Sequence, residues 1–151
     1  MDTFDSLNSI LVKLFNDILG IEQTALITEE FKDISVTDMH IIEAVGIESP
    51  RTMSTISKSL GITMGTLTTG MNALVRKGYV VRNRSEKDRR IVYATLTEKG
   101  QAAYQHHRAF HDDMIKSIMK DLNEEEAALL TKTFERLENY FGQWTKTNKN
   151  A

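Results

Sequence analysis

The chain begins with apolar residues at alternating spacings of three and four: Phe4, Leu7, Leu11, Leu14, Ile18, Ile21 and Ala25. That stripe predicts one long helix over 3–27 with a heptad-like seam. A matching stripe, Leu130, Phe134, Leu137, Phe141 and Trp144, follows Asn123-Glu124-Glu125-Glu126, which reads as a capping box opening a last helix. Two long terminal helices carry more apolar seam than a small core can cover. The economical expectation is a homodimer that buries them against their symmetry mates. Between them Ser35 caps a helix through about Gly46, with Asp38 in its first turn. "SPRT" (49–52) breaks the chain, and Met53, Ile56 and Leu60 mark a short helix ending at Gly61. Thr63 caps a third helix that reaches Lys77 and stops at Gly78. "YVVRN" and "IVYATL" flank the polar "RSEKDR", the pattern of a two-stranded hairpin. Thr97 and Glu98 open a long helix to about residue 120, and "TKTNKNA" reads as a frayed tail.

The expected architecture is mostly α with a small β-hairpin: a winged helix-turn-helix over 35–96, flanked by dimerisation helices over 3–28 and 97–146, in one chain of 151 residues. The length suits one domain. Zero cysteines exclude disulfides and thiol chemistry. No apolar run reaches the ~18–20 residues of a membrane span, and acids at the start argue against a secretion signal. The expected location is the cytoplasm, without a membrane partner.

Charge changes the picture. The whole chain has a formal net charge of −2, yet residues 76–90, "RKGYVVRNRSEKDRR", hold seven basic and two acidic side chains. A basic patch on an acidic body marks one face for a polyanion. On the wheel of helix 63–77, Leu67, Met71 and Leu74 point inward. Gly65, Thr69, Asn72 and Arg76 lie opposite, with Thr66 and Thr68 on the flanks and Thr63 and Met64 at the positive end. Small hydroxylated residues let a helix approach base edges closely. The hairpin tip, with Arg84, Lys87, Arg89 and Arg90, has the reach to straddle a DNA backbone and put an arginine into the minor groove. Asp88 is the wrong sign for such contact, and its sensible role is to clamp and aim Arg90 by paired hydrogen bonds.

Ser54, Leu60-Gly61-Ile62-Thr63, Asp88-Arg89-Arg90 and Leu96-Thr97-Glu98-Lys99-Gly100 resemble the MarR family of bacterial transcription regulators, whose wing carries Asp-x-Arg followed by Leu-Thr-x-x-Gly. The resemblance implies a dimer whose recognition helices enter successive major grooves of a pseudo-palindromic operator, with Ser54 at the DNA, Arg90 in the minor groove and Asp88 as its orienter. Phe31-Lys32-Asp33-Ile34-Ser35, Met39-His40, Gly65-Thr66, Thr68-Thr69, Arg76-Lys77-Gly78-Tyr79, Arg84-Ser85-Glu86 and Phe110-His111 are more narrowly similar to the Firmicutes repressors of fatty-acid biosynthesis. That branch implies long-chain acyl groups on acyl carrier protein as corepressor. No cofactor is required for DNA binding itself.

The four histidines, His40, His106, His107 and His111, lie outside the DNA-reading part, and His107 and His111 share one helix face. Such a pair can chelate zinc given further ligands. A zinc-sensing branch of the family resembles Glu22, His40, His107 and His111. The same residues also read as polar groups of a helix junction, or of an acyl pocket walled by Phe15, Ile18, Leu19, Phe31, Met39, Ile41, Ile42, Val45, Phe110 and Met114. Three ligand classes therefore stay open: acyl carrier protein or a fatty-acyl group, zinc, or another small lipophilic molecule. Enzymatic function is not expected: there is no cysteine nucleophile, Gly-x-Ser-x-Gly elbow or phosphate-cradling glycine loop.

Overall fold

The computed structural model describes residues 2–26 and 28–149, so the expected end of the first helix at residue 27 and the last two residues of the tail lie outside the described residues. In chain order come α1 (Thr3–Leu26), α2 (Val36–Val45), β1 (Arg51–Thr52), α3 (Met53–Leu60), α4 (Met64–Arg76), β2 (Val80–Arg84), β3 (Val92–Leu96), α5 (Glu98–Lys120) and α6 (Glu124–Lys149). The chain divides into two compact units, one ending at Phe110 and the other beginning at His111.

In the first unit, α2, α3 and α4 pack with the sheet around Ile42, Ile56, Leu67, Met71, Leu74 and Tyr79, all fully buried. Burial of this order stabilises by about 1.5–3 kcal/mol for each large apolar side chain. The local signals behave as the sequence predicts. Ser35 and Asp38 form a reciprocal capping box on α2. Thr63 caps α4 as expected, and Thr52, read in the sequence only as part of a break, caps α3, each accepting from the backbone N–H three residues on. Gly61 ends α3 in the left-handed region (φ 66°), where a β-carbon would be strained, and this turn sets α4 across α3. One close approach was not foreseen: a β-carbon at Gly70 would lie 2.6 Å from Ile41 Cδ1, so α4 rests on α2 nearly backbone to side chain.

The sheet differs from the expected hairpin. It has three antiparallel strands in the order β1-β3-β2, because Arg51 and Thr52 pair with Ala94 and Tyr93. Two residues carry no readable alternation, so the segment reads in sequence only as a break. In β2–β3 the register pairs Val80 with Leu96, Arg82 with Ala94 and Arg84 with Val92. Tyr79 leads into the wing. Its buried hydroxyl donates to Asp33 Oδ1 at 2.6 Å, and Lys99 Nζ lies 4.4 Å from its ring centre. The Tyr79 bond holds the Asp33 carboxyl below the ordinary range, and the charge of Lys99 adds to it.

The second unit contains the rest of α5 and α6. Asn123 and Glu126 form the expected capping box. The frayed tail is corrected: α6 continues to Lys149, with Thr145, Thr147 and Asn148 hydrogen-bonded to carbonyls four residues back. Their polarity suggested fraying, but side chains that bond within their own helix do not end it.

Candidate nucleic-acid interface

Helix α4 presents the surface that its periodicity predicts. Leu67, Met71 and Leu74 are buried, while Thr63, Met64, Gly65, Thr66, Thr68, Thr69 and Arg76 are exposed. Asn72 is half-buried, tucked further toward the body than the helical wheel places it. Ser54 is exposed in the first turn of α3.

The wing stands beside this face. Between them lies a cleft of about 520 Å³, lined by Ser54, Met64, Thr68 and Arg90 together with Thr52, Met53, Arg82, Ile91 and Val92. The last five are absent from the sequence-derived site. Arg82 could have been found: two residues after the buried Val80, it shares that strand's inward parity. A helix lying in the major groove and a wing in the neighbouring minor groove must be separated by one sugar–phosphate strand. This cleft, lined by two arginines and by apolar side chains, has the size and charge to seat it.

The wing tip is built for aim. Ser85 N–H donates to Ile91 O at 2.9 Å and Ile91 N–H to Asp88 O at 3.0 Å, closing the turn. Asp88 N–H donates to Ser85 Oγ at 3.3 Å. Asp88 then takes Arg90 in a fork: Nε donates to Oδ1 at 3.0 Å, Nη2 to Oδ2 at 3.1 Å, and the Arg90 backbone N–H to Oδ1 at 3.1 Å. The Arg90 side chain is 91 % exposed, so the fork aims a fully solvated guanidinium instead of burying one. The Arg90 side-chain bonds, and then its backbone bond, hold the Asp88 carboxyl below its usual range. Arg84, Lys87 and Arg89 are exposed around the same tip, and Arg84 donates to the Arg89 carbonyl at 3.5 Å.

The residues considered for a ligand are placed differently. Phe31, Met39, Ile41, Ile42 and Val45 belong to the core, Phe15 and Leu19 are exposed on α1, and Ile18 and Phe110 are half-buried. Met114 and His111 lie on the α5 segment of the second unit. Glu22, His40 and His107 do come together in the first unit. Glu22 is buried (5 % exposed), with its Oε1 3.0 Å from His107 Nε2 and 3.5 Å from His40 Nε2. Glu43, not anticipated, lies 3.4 Å from the same His107 nitrogen. His106 instead contacts the Ala25 carbonyl at 3.0 Å and stands against the Phe31 ring.

A helix-turn-helix whose exposed recognition surface and clamped basic wing flank one cleft defines a winged-helix DNA-binding protein. The profile of the MarR family matches residues 32–91. Over 93 % of this chain and 99 % of that one, the fold superposes on Streptococcus pneumoniae FabT, solved in complex with DNA, with a TM-score of 0.87 and 40 % identity. The chain belongs to the MarR family of transcriptional regulators, and it resembles FabT over nearly the whole length of both chains. A mutant MarR of Escherichia coli, solved with operator DNA, shares the fold at a TM-score of 0.63 and 24 % identity, covering 91 % of this chain and 99 % of that one. SarZ of Staphylococcus aureus is 33 % identical over 70 residues, which are 46 % of this chain and 47 % of that protein. The protein is thus a DNA-binding transcriptional regulator and not an enzyme. Among the described residues, no helix is long and apolar enough to cross a membrane.

Proposed function

We propose that the chain acts in the cytoplasm as a homodimeric repressor of fatty-acid-biosynthesis genes, binding a pseudo-palindromic operator with an acyl group on acyl carrier protein as corepressor. The observation that carries this reading is the 40 % identity, over nearly the full length of both chains, to a FabT bound to DNA. Exposed apolar side chains support the dimer. Phe4, Leu7, Leu14, Phe15 and Leu19 on α1, and Leu129, Phe134, Phe141 and Trp144 on α6, are each at least 40 % exposed in the single chain. Surface of that kind marks association. Two-fold symmetry sets the recognition helices roughly one turn of DNA apart, about 10 bp. In a gel-retardation assay with upstream DNA of fatty-acid-biosynthesis genes, long-chain acyl carrier protein should tighten binding at least several-fold. Sedimentation should give twice the chain mass. Retardation indifferent to the acyl species sinks the corepressor, and a monomer sinks the palindrome.

A second reading, a zinc-responsive regulator, is favoured by the convergence of His40 and His107 nitrogens on one buried Glu22 oxygen. These are donor types that zinc takes, and His111 stands one turn beyond His107 on α5. After dialysis against zinc, wild type should retain one ion per chain and His107→Ala none. An unloaded wild type removes this reading.

A further inference from the structure

The first two turns of α4 are the part of a recognition helix that meets base edges, and their chemistry is narrow. Exposed there are Met64, Gly65, Thr66, Thr68 and Thr69, with no charged or amide side chain among them. What the threonines can offer depends on where their hydroxyl hydrogens already go. Thr68 Oγ1 donates to the Met64 carbonyl at 2.7 Å, and Thr69 Oγ1 to the Gly65 carbonyl at 3.1 Å. Thr63 Oγ1 donates to Thr66 Oγ1 at 2.9 Å while accepting the Thr66 N–H. Toward DNA, Thr68 and Thr69 therefore turn oxygen lone pairs and γ-methyl groups. Met64 adds its thioether and methyl, and Gly65 adds nothing but room. The adjoining cleft adds the apolar lining residues Met53, Ile91 and Val92.

Base pairs differ in what they show this surface in the major groove. Guanine presents two acceptors, N7 and O6, and needs a donor such as arginine opposite. Set against lone pairs and methyls, those acceptors would lose water and gain no bond. Thymine presents a C5-methyl, which a methyl surface covers, and its adenine partner presents an N6 donor, which a threonine oxygen accepts. To serve guanine, Thr68 or Thr69 would have to break its bond to the helix carbonyl. One hydroxyl hydrogen stays available at Thr66, whose Oγ1 accepts from Thr63, and further side-chain donors stand along α4 at Asn72 and the exposed Arg76.

We propose that Thr68 and Thr69 are specificity-determining residues that select thymine methyls and adenine amino groups, and that guanine is excluded beneath these two side chains. The inference rests on the operator-binding reading above and deepens it. The test begins with selection of duplexes from a pool with a randomised segment, using the full chain. Thymines of the enriched half-site are then replaced one at a time by deoxyuridine, which removes only the methyl. Each methyl in contact should be worth about three- to five-fold in affinity. The double variant Thr68→Ser, Thr69→Ser should bind the thymine duplex more weakly by a similar factor per methyl and no longer distinguish thymine from uracil. Thermal melting of the variant by circular dichroism establishes that it folds, since both positions are exposed. An enriched duplex indifferent to these methyls, or one with guanine at these positions, overturns the inference and leaves operator binding standing. A pool that yields no enriched duplex overturns both.

Discussion

Arg90→Ala is expected to weaken operator binding by about 5- to 150-fold, the loss of roughly 1–3 kcal/mol that one well-placed arginine contact supplies. The slope of log affinity against log salt should fall by about one, since one phosphate-neutralising cation is gone. The fold should be untouched. Arg90 contributes nothing to the core, its side chain is 91 % exposed, and its hydrogen bonds run to Asp88. Titration of labelled operator at several salt concentrations, beside a thermal melt, separates the two statements. Wild-type affinity in the variant would remove the wing from the binding mechanism.

The same geometry predicts a result that charge alone gets wrong. Asp88→Ala deletes a negative charge from a basic tip, so long-range electrostatics favours tighter DNA binding. The fork makes the opposite prediction. Without Oδ1 and Oδ2 the Arg90 guanidinium loses both of its fixed bonds and its backbone N–H loses a third, so its rotamers must be ordered on DNA at a cost of roughly 0.5–1.5 kcal/mol. Asp88→Ala should therefore weaken binding by about 2- to 10-fold, and by nothing further in the Arg90→Ala background. A tighter-binding Asp88→Ala would show that the carboxylate merely repels phosphate.

How much of this was legible in the sequence follows from the range of each signal. Buried Leu67, Met71 and Leu74 repeat at helical spacing, and caps such as Ser35 and Thr63 act within three residues, so a single pass along the chain finds them. The Asp88–Arg90 fork spans two residues and was legible for the same reason. Pairings set by tertiary packing were not. Arg51 and Thr52 become a strand only because β3 passes beside them, 41 residues on in the register with Thr52. Tyr79 and Asp33 are 46 residues apart, and nothing local joins them. The cleft is intermediate: Thr68 and Arg90 were expected to share a face, whereas Arg82 follows only once hairpin parity is combined with the side of the sheet that faces α4. The ligand residues were least legible, because a buried apolar side chain looks the same in sequence whether it lines a pocket or fills a core.

The second large effect is on stability, and two glycines make it a matter of sign. A β-carbon at Gly100 would lie 2.1 Å from the Tyr79 carbonyl oxygen and 3.2 Å from Leu96 Cβ. The obstacle is backbone, and that carbonyl already accepts from Thr97 N–H at 3.0 Å, the bond that joins the end of the wing to the start of α5. Gly100→Ala must push α5 off this junction, which costs about 3 kcal/mol or more and lowers the melting temperature by roughly 6–12 °C at about 2–4 °C per kcal/mol. Since Leu96 pairs with Val80 in the β2–β3 register and Tyr79 directly precedes that strand, operator binding should fall along with stability. Gly65 lies on α4 with only Thr63 Oγ1 near, at 4.0 Å from such a β-carbon. Gly65→Ala should raise stability by about 0.5–1 kcal/mol, the helix propensity of alanine over glycine, yet weaken operator binding by holding the helix off the bases. Melting curves and operator titrations on both variants decide the matter. A Gly100→Ala protein that melts with wild type would dissolve the junction, and a Gly65→Ala protein that binds like wild type would move the proposed recognition surface elsewhere on α4.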